Sequence, residues 1–161
     1  MKLTLSAALL VAASATSHAF TFNFSGYEGS ELPPTVIEAP VPGYGTVRFE
    51  ALSGTLIVDN THQNSDGSGA PSLSFQTNES VKVTFIGLNP KDVNFDFVGV
   101  STGEYFVTEL DPVTPQAYIV TMRGVSGNAG LYAVDWNQIP EPSSALLGVL
   151  AGAVCVLRRR R

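Results

Sequence analysis

Cysteine is almost missing from these 161 residues: the single one, Cys155, sits in an apolar stretch near the carboxy terminus. No disulfide can close within the chain, and thiolate catalysis or a cysteine metal site in its main body is excluded. Histidine is nearly as scarce. His18 lies near the amino terminus and His62 stands by itself in the middle, so one chain cannot assemble a two-histidine metal site there. Positive charge is short as well. Between residues 20 and 139 only Arg48, Lys82, Lys91 and Arg123 oppose 13 acidic residues, which leaves a charge of −9. A surface of that sign repels phosphate backbones, so no nucleic-acid partner is expected. A sustained apolar period of 3.6 is also absent, which removes amphipathic helices from the plan of the middle.

What is present is strongest at the two ends. Lys2 opens a positive region, residues 3–15 are largely apolar, and Ser17-His18-Ala19 puts small residues at the two positions that signal peptidase inspects. This is the three-part form of a secretory signal, with cleavage expected after Ala19 and Sec-type export machinery and signal peptidase as partners. At the other end an uncharged run, residues 143–157, stops at Arg158, Arg159, Arg160 and Arg161. At ~1.5 Å rise per residue it reaches roughly 22 Å as a helix, short of the ~30 Å hydrocarbon core. It can span with local thinning or snorkelling arginines. The arginines act as a cytoplasmic stop and set the helix outside to inside, the orientation that the signal also predicts.

Directly before this run stands Pro140-Glu141-Pro142. Two prolines one residue apart can neither continue a strand ladder nor sit inside a helix, so an extended hinge is expected there. The order Pro140-Glu141-Pro142, apolar residues 143–157, then Arg158 to Arg161 resembles the PEP-CTERM sorting signal of Gram-negative and related bacteria. Ile139 departs from it conservatively, standing where the family commonly has valine. The resemblance covers residues 139–161 and implies removal of the tail by an exosortase, a multi-spanning membrane enzyme with a cysteine nucleophile. It further implies transient anchoring in the inner membrane and association with exopolysaccharide or biofilm matrix. The expected organisation is a signal peptide (1–19), an exported domain (20–138) and a sorting signal (139–161).

The residues from 20 to 139 include 48 hydrophobic side chains and all 15 aromatics, enough for a modest core. Their dominant period is two. Phe20, Phe22 and Phe24 alternate with polar residues, as do Val81, Val83 and Phe85, and Val93, Phe95 and Phe97. Further strands are expected at 46–52, 55–59, 73–77, 104–110, 117–123 and 131–136. Turn chemistry separates them, including Ser53-Gly54, Asn89-Pro90 and Asp111-Pro112. About nine short strands at this spacing predict an all-β fold, an antiparallel, jelly-roll-like β-sandwich. It would be flanked by the signal helix and a transmembrane helix. Pro33-Pro34 and Pro40 to Pro42 bracket an irregular connection, residues 26–45, expected to lie over the surface or cap a sheet edge.

Candidate chemistry in the domain is sparse. Asp59, Asn60, Asn64 and Asp66 supply hard oxygen donors around a loop closed by Gly67 and Gly69. A calcium ion takes ~6–8 such oxygens, but the alternating acidic pattern and distal glutamate of a calcium loop are missing, so an ordinary solvated hairpin is favoured. His62, three residues after Asp59 and near several serines, could enter a Ser-His-Asp arrangement, yet no Gly-x-Ser-x-Gly elbow presents a nucleophile. Trp136 closes the last strand and is assigned to the core. The expectation is a non-enzymatic protein without cofactor, structural or adhesive at the cell surface or in extracellular matrix. A carbohydrate-binding module acting on exopolysaccharide is the alternative, and a small hydrolase ranks third.

Overall fold

Alternating side chains on an extended backbone point to opposite faces, so each apolar stripe in this sequence must find a second stripe to cover it. The computed structural model describes residues 18–62, 69–124 and 127–138. Among them are eleven strands: β1 (His18–Asn23), β2 (Glu31–Leu32), β3 (Ile37–Val41), β4 (Gly45–Ser53), β5 (Leu56–Asp59) and β6 (Ser72–Gln76), then β7 (Ser80–Ile86), β8 (Pro90–Val98), β9 (Tyr105–Leu110), β10 (Ala117–Arg123) and β11 (Asn128–Gln138). All pairings between them are antiparallel. One sheet runs β3-β4-β7-β10-β9. The other is organised on β11, with β8 on one side and β1 and β6 on the other, continuing to β5 and β2.

The nine expected strands are all present, and two more lie in the stretch expected to be irregular. β2 and β3 each take an outermost position, one in either sheet. Pro40 explains how a proline-rich segment can do this. It sits in β3 opposite Thr46, on a strand with one free side, where a missing N–H breaks no ladder. The connection does cap a sheet edge, by pairing with it.

The inner faces share one core. In β7, Val81, Val83 and Phe85 are buried while Ile86 is exposed, and burying each such side chain contributes ~1.5–3 kcal/mol. Aromatic rings join the sheets. Phe22 of β1 meets Phe49 of β4 at 4.8 Å between ring centres, and Phe97 of β8 stacks on Phe106 of β9 at 3.9 Å. Trp136 of β11 is buried, stacked at 5.6 Å on Phe20 and edge-on at 5.3 Å to Phe85. The arrangement is sandwich-like.

β11 contains an irregularity with a visible sequence cause. Its inward residues are Ala129 and Leu131 before the break and Val134 and Trp136 after it. The register against β8 shifts between Leu131 and Ala133. One extra residue reverses the alternation, which is how a strand can carry the apolar pair Ala133-Val134 and still bury Trp136.

The two ends of this unit, His18–Gln138, lie side by side, because His18 is opposite Gln138 and Ala19 opposite Asn137. β1 therefore includes the last two residues of the expected signal peptide. Residues 1–17, where the rest of the signal helix is expected, and 139–161, with the sorting motif and transmembrane helix, lie outside the described residues. Among the described residues no helix is long and apolar enough to cross a membrane.

Candidate functional site

The polar residues with most structure around them lie on the outer face of the β11 sheet. Leu73 and Phe75 of β6 point into the core, so Ser72 and Ser74 point away from it. Asp59 at the end of β5 is on the same face, three residues along from Leu56. The chain then turns back, and His62 lays its imidazole over these hydroxyls with only 5% of it exposed.

Among the described residues, every partner of this imidazole approaches one nitrogen. Ser72 Oγ is 3.2 Å from Nδ1, Ser74 Oγ 3.3 Å, Thr61 Oγ1 3.5 Å and Asp59 Oδ1 3.6 Å. The same Asp59 oxygen accepts hydrogen bonds from the Ser74 hydroxyl at 2.7 Å, the Thr61 hydroxyl at 2.8 Å and the Thr61 N–H at 3.2 Å. With its proton given to Asp59, Ser74 meets His62 only as an acceptor, whereas the Ser72 hydroxyl can either donate to Nδ1 or accept from it. Nε2 is buried and has no hydrogen-bond partner among the described residues. Burial pushes the Asp59 carboxyl upward, but the hydrogen bonds from Ser74 and Thr61 and the neighbouring His62 outweigh it. The group sits below its ordinary value.

Two glycines make room for the ring. A Cβ at Gly99 would come 2.4 Å from His62 Cδ2, and one at Gly130 would come 2.4 Å from Ser72 Oγ and 3.2 Å from His62 Nδ1. Gly99 also has φ +71, a left-handed conformation that other residues adopt only with strain.

Among the described residues the ring is seated as a peg, without the nucleophile arrangement. A serine-histidine-carboxylate relay needs serine on one ring nitrogen and carboxylate on the other. Here both meet Nδ1, and the far nitrogen is enclosed. The adjoining depression, lined by Asp59, Ser74, Ile57, Gln76 and Glu79, measures about 130 Å³, below the ~300–1,000 Å³ of sites that enclose a small molecule. Glu79 is committed too, accepting from Gln76 N–H at 2.7 Å and Thr55 N–H at 3.1 Å.

No family model, no curated protein and no solved structure matches this chain.

Of the calcium candidates, Asp59 has one oxygen enclosed by donors, and Asn64 and Asp66 lie outside the described residues. Among the described residues no group of three or more metal-ligating side chains gathers. Ala19 is exposed in β1. Pro140, Glu141, Pro142 and Arg158 to Arg161 lie outside the described residues. Aromatic rings suited to a sugar face are dispersed: Tyr44 is exposed in the turn between β3 and β4, and Tyr105 is exposed at the start of β9. The sequence reading paired His62 with Asp59 but did not name Ser72, Ser74, Gly99 or Gly130. Their available signal was small residues at outward positions of strands, above all a glycine inside the last strand.

A second charged cluster fastens a loop on the opposite sheet. Lys82 of β7 pairs with Asp111 and donates to Thr114 Oγ1 at 2.6 Å, while Val113 N–H donates to Asp111 at 3.0 Å. The Lys82 hydrogen bond, helped by the Val113 N–H, lowers the Asp111 carboxyl to about 2.

Proposed function

We propose that this chain is an exported protein of the PEP-CTERM type, structural or adhesive at the cell surface or in extracellular matrix. A signal peptide is cut after Ala19, a β-sandwich follows, and the tail holds the product in the inner membrane until an exosortase removes it. The observation that carries the reading is the ordered terminus: Pro140-Glu141-Pro142, uncharged residues 143–157, then four arginines.

The fold supports it in two ways. The closer packing begins at the expected first mature residue: His18 and Ala19 are exposed, with the His18 ring 5.9 Å from Tyr44, whereas Phe20 is half-buried against Trp136 and Tyr44. The cut after Ala19 thus removes two exposed strand residues, together with the His18 ring, and leaves Phe20 on Trp136 and Tyr44. Both processing positions also leave the domain together, since His18 is opposite Gln138 and Pro140 follows two residues later. A single membrane-facing end accommodates export and tail removal. The jelly-roll-like reading rests on the first and last strands lying side by side in one sheet. Extracellular polysaccharide is the matrix partner under this reading.

Replacing Pro140, Glu141 and Pro142 with alanines tests sorting. Export should continue while the protein accumulates in the membrane fraction. Normal release of the triple variant would count against recognition of the motif.

A further inference from the structure

An unpaired strand edge offers a row of backbone donors and acceptors to any strand that can match it, and most proteins obstruct such edges. Three of the five strands with a free side among the described residues are obstructed. β2 has two residues followed by Pro33-Pro34, β3 contains Pro40, and β8 begins Pro90-Lys91, carries Asp92 at φ +52 and pairs irregularly. β1 is not obstructed, but its exposed residues, His18, Ala19, Thr21 and Asn23, are small or polar. β9, Tyr-Phe-Val-Thr-Glu-Leu, has no proline, lysine or irregular pairing, and Tyr105 and Leu110 are 57% and 67% exposed.

The ladder shows which groups are free. Asp111 N–H donates to the Ala117 carbonyl, its register partner one step beyond Leu110 and Tyr118. Hydrogen-bonded pairs alternate along an antiparallel ladder, so Tyr105, Val107 and Glu109 bond to β10. The N–H and C=O groups of Phe106, Thr108 and Leu110 therefore point away from the sheet. Three residues with the same spacing are self-complementary. A second β9 running antiparallel can place Thr108 opposite Thr108 and Phe106 opposite Leu110 at both ends, each pair exchanging two backbone hydrogen bonds.

We infer that β9 is a homotypic docking edge through which two copies of this chain join their β3-β4-β7-β10-β9 sheets around a twofold axis at Thr108. In this register Leu110 covers Phe106 of the second copy and Glu109 faces Val107, so no like charges are directly opposed. Repulsion between two acidic domains is screened beyond ~10 Å at 0.1 M salt. A contact of one strand is smaller than the ~1,200 Å² of a stable interface, so the dimer is weak. Such contacts gain strength where many copies share one surface.

Cross-linking tests the register directly. In a hydrogen-bonded antiparallel pair the facing Cα atoms stand ~5.5 Å apart, inside the ~4.4–6.8 Å window for a disulfide. The full-length chain carrying Cys155→Ser and Thr108→Cys should give a disulfide-linked dimer under mild oxidation. Its rate should exceed by ~10-fold that of a Val113→Cys control, whose position is 84% exposed and lacks that fixed geometry. Adding Leu110→Lys, a change at an exposed site, should bring the rate down to the control. Cross-linking at position 108 no faster than at 113, or unaffected by Leu110→Lys, would overturn the pairing.

Discussion

Gly130→Ala should destabilise the domain through one collision, and the geometry says which neighbour can relieve it. The added Cβ would stand 2.4 Å from Ser72 Oγ and 2.7 Å from Ser72 Cβ, both inside the 3.0 Å that carbon contacts respect. Neither side can yield cheaply. Ser72 is fully buried beneath His62, and Gly130 is held in register with Ser74 on one side and Val98 on the other. Forced overpacking of this kind costs ~1–3 kcal/mol, or a melting shift of roughly 4–12 °C at the ~4 °C per kcal/mol expected for a domain of this size. Ser72→Gly removes both colliding atoms. By itself it should cost ~1–2 kcal/mol, from glycine in a strand and the lost hydroxyl contact to His62. The double variant should then be more stable than the sum of the two losses by ~1 kcal/mol or more, a coupling that a double-mutant cycle isolates. Urea denaturation of residues 18–138 followed by circular dichroism gives all four stabilities. Additive losses, or Gly130→Ala within ~0.3 kcal/mol of the parent, would refute this account of how His62 is seated.

Other changes read different parts of the molecule. Trp136→Ala should cost ~3–5 kcal/mol in denaturant, because the ring joins Phe20 to Phe85 across the core; a loss under ~1 kcal/mol would remove it from that role. Asp111 has a folded value of about 2 against an ordinary 3.8, so its contribution is fully present above 3.8 and disappears as pH falls toward 2. Lys82→Met removes the cause, and its urea midpoint should fall less than that of the parent between pH 5 and pH 2.5; equal falls would contradict the assignment.

Much of the fold was legible because its strands follow period two so plainly. Val81, Val83 and Phe85 went inward as the alternation required. β2 and β3 were not legible for the opposite reason: prolines argue against strands, except at an edge, and an edge is a tertiary fact. The β11 irregularity was written as the doublet Ala133-Val134, yet only its pairing with β8 distinguishes a shift in register from a strand end. The site was half legible. Asp59 and His62 stand three residues apart in sequence, but Ser72, Ser74, Gly99 and Gly130 reach them through strand pairing that no local pattern encodes.

The measurement that bears most directly on the proposed function is the intact mass of the extracellular product from its own host. It should correspond to a chain that begins at Phe20 and has lost Arg158 to Arg161 together with the apolar run before them. An extracellular species still carrying those arginines, or still beginning at Met1, would contradict the sorting account.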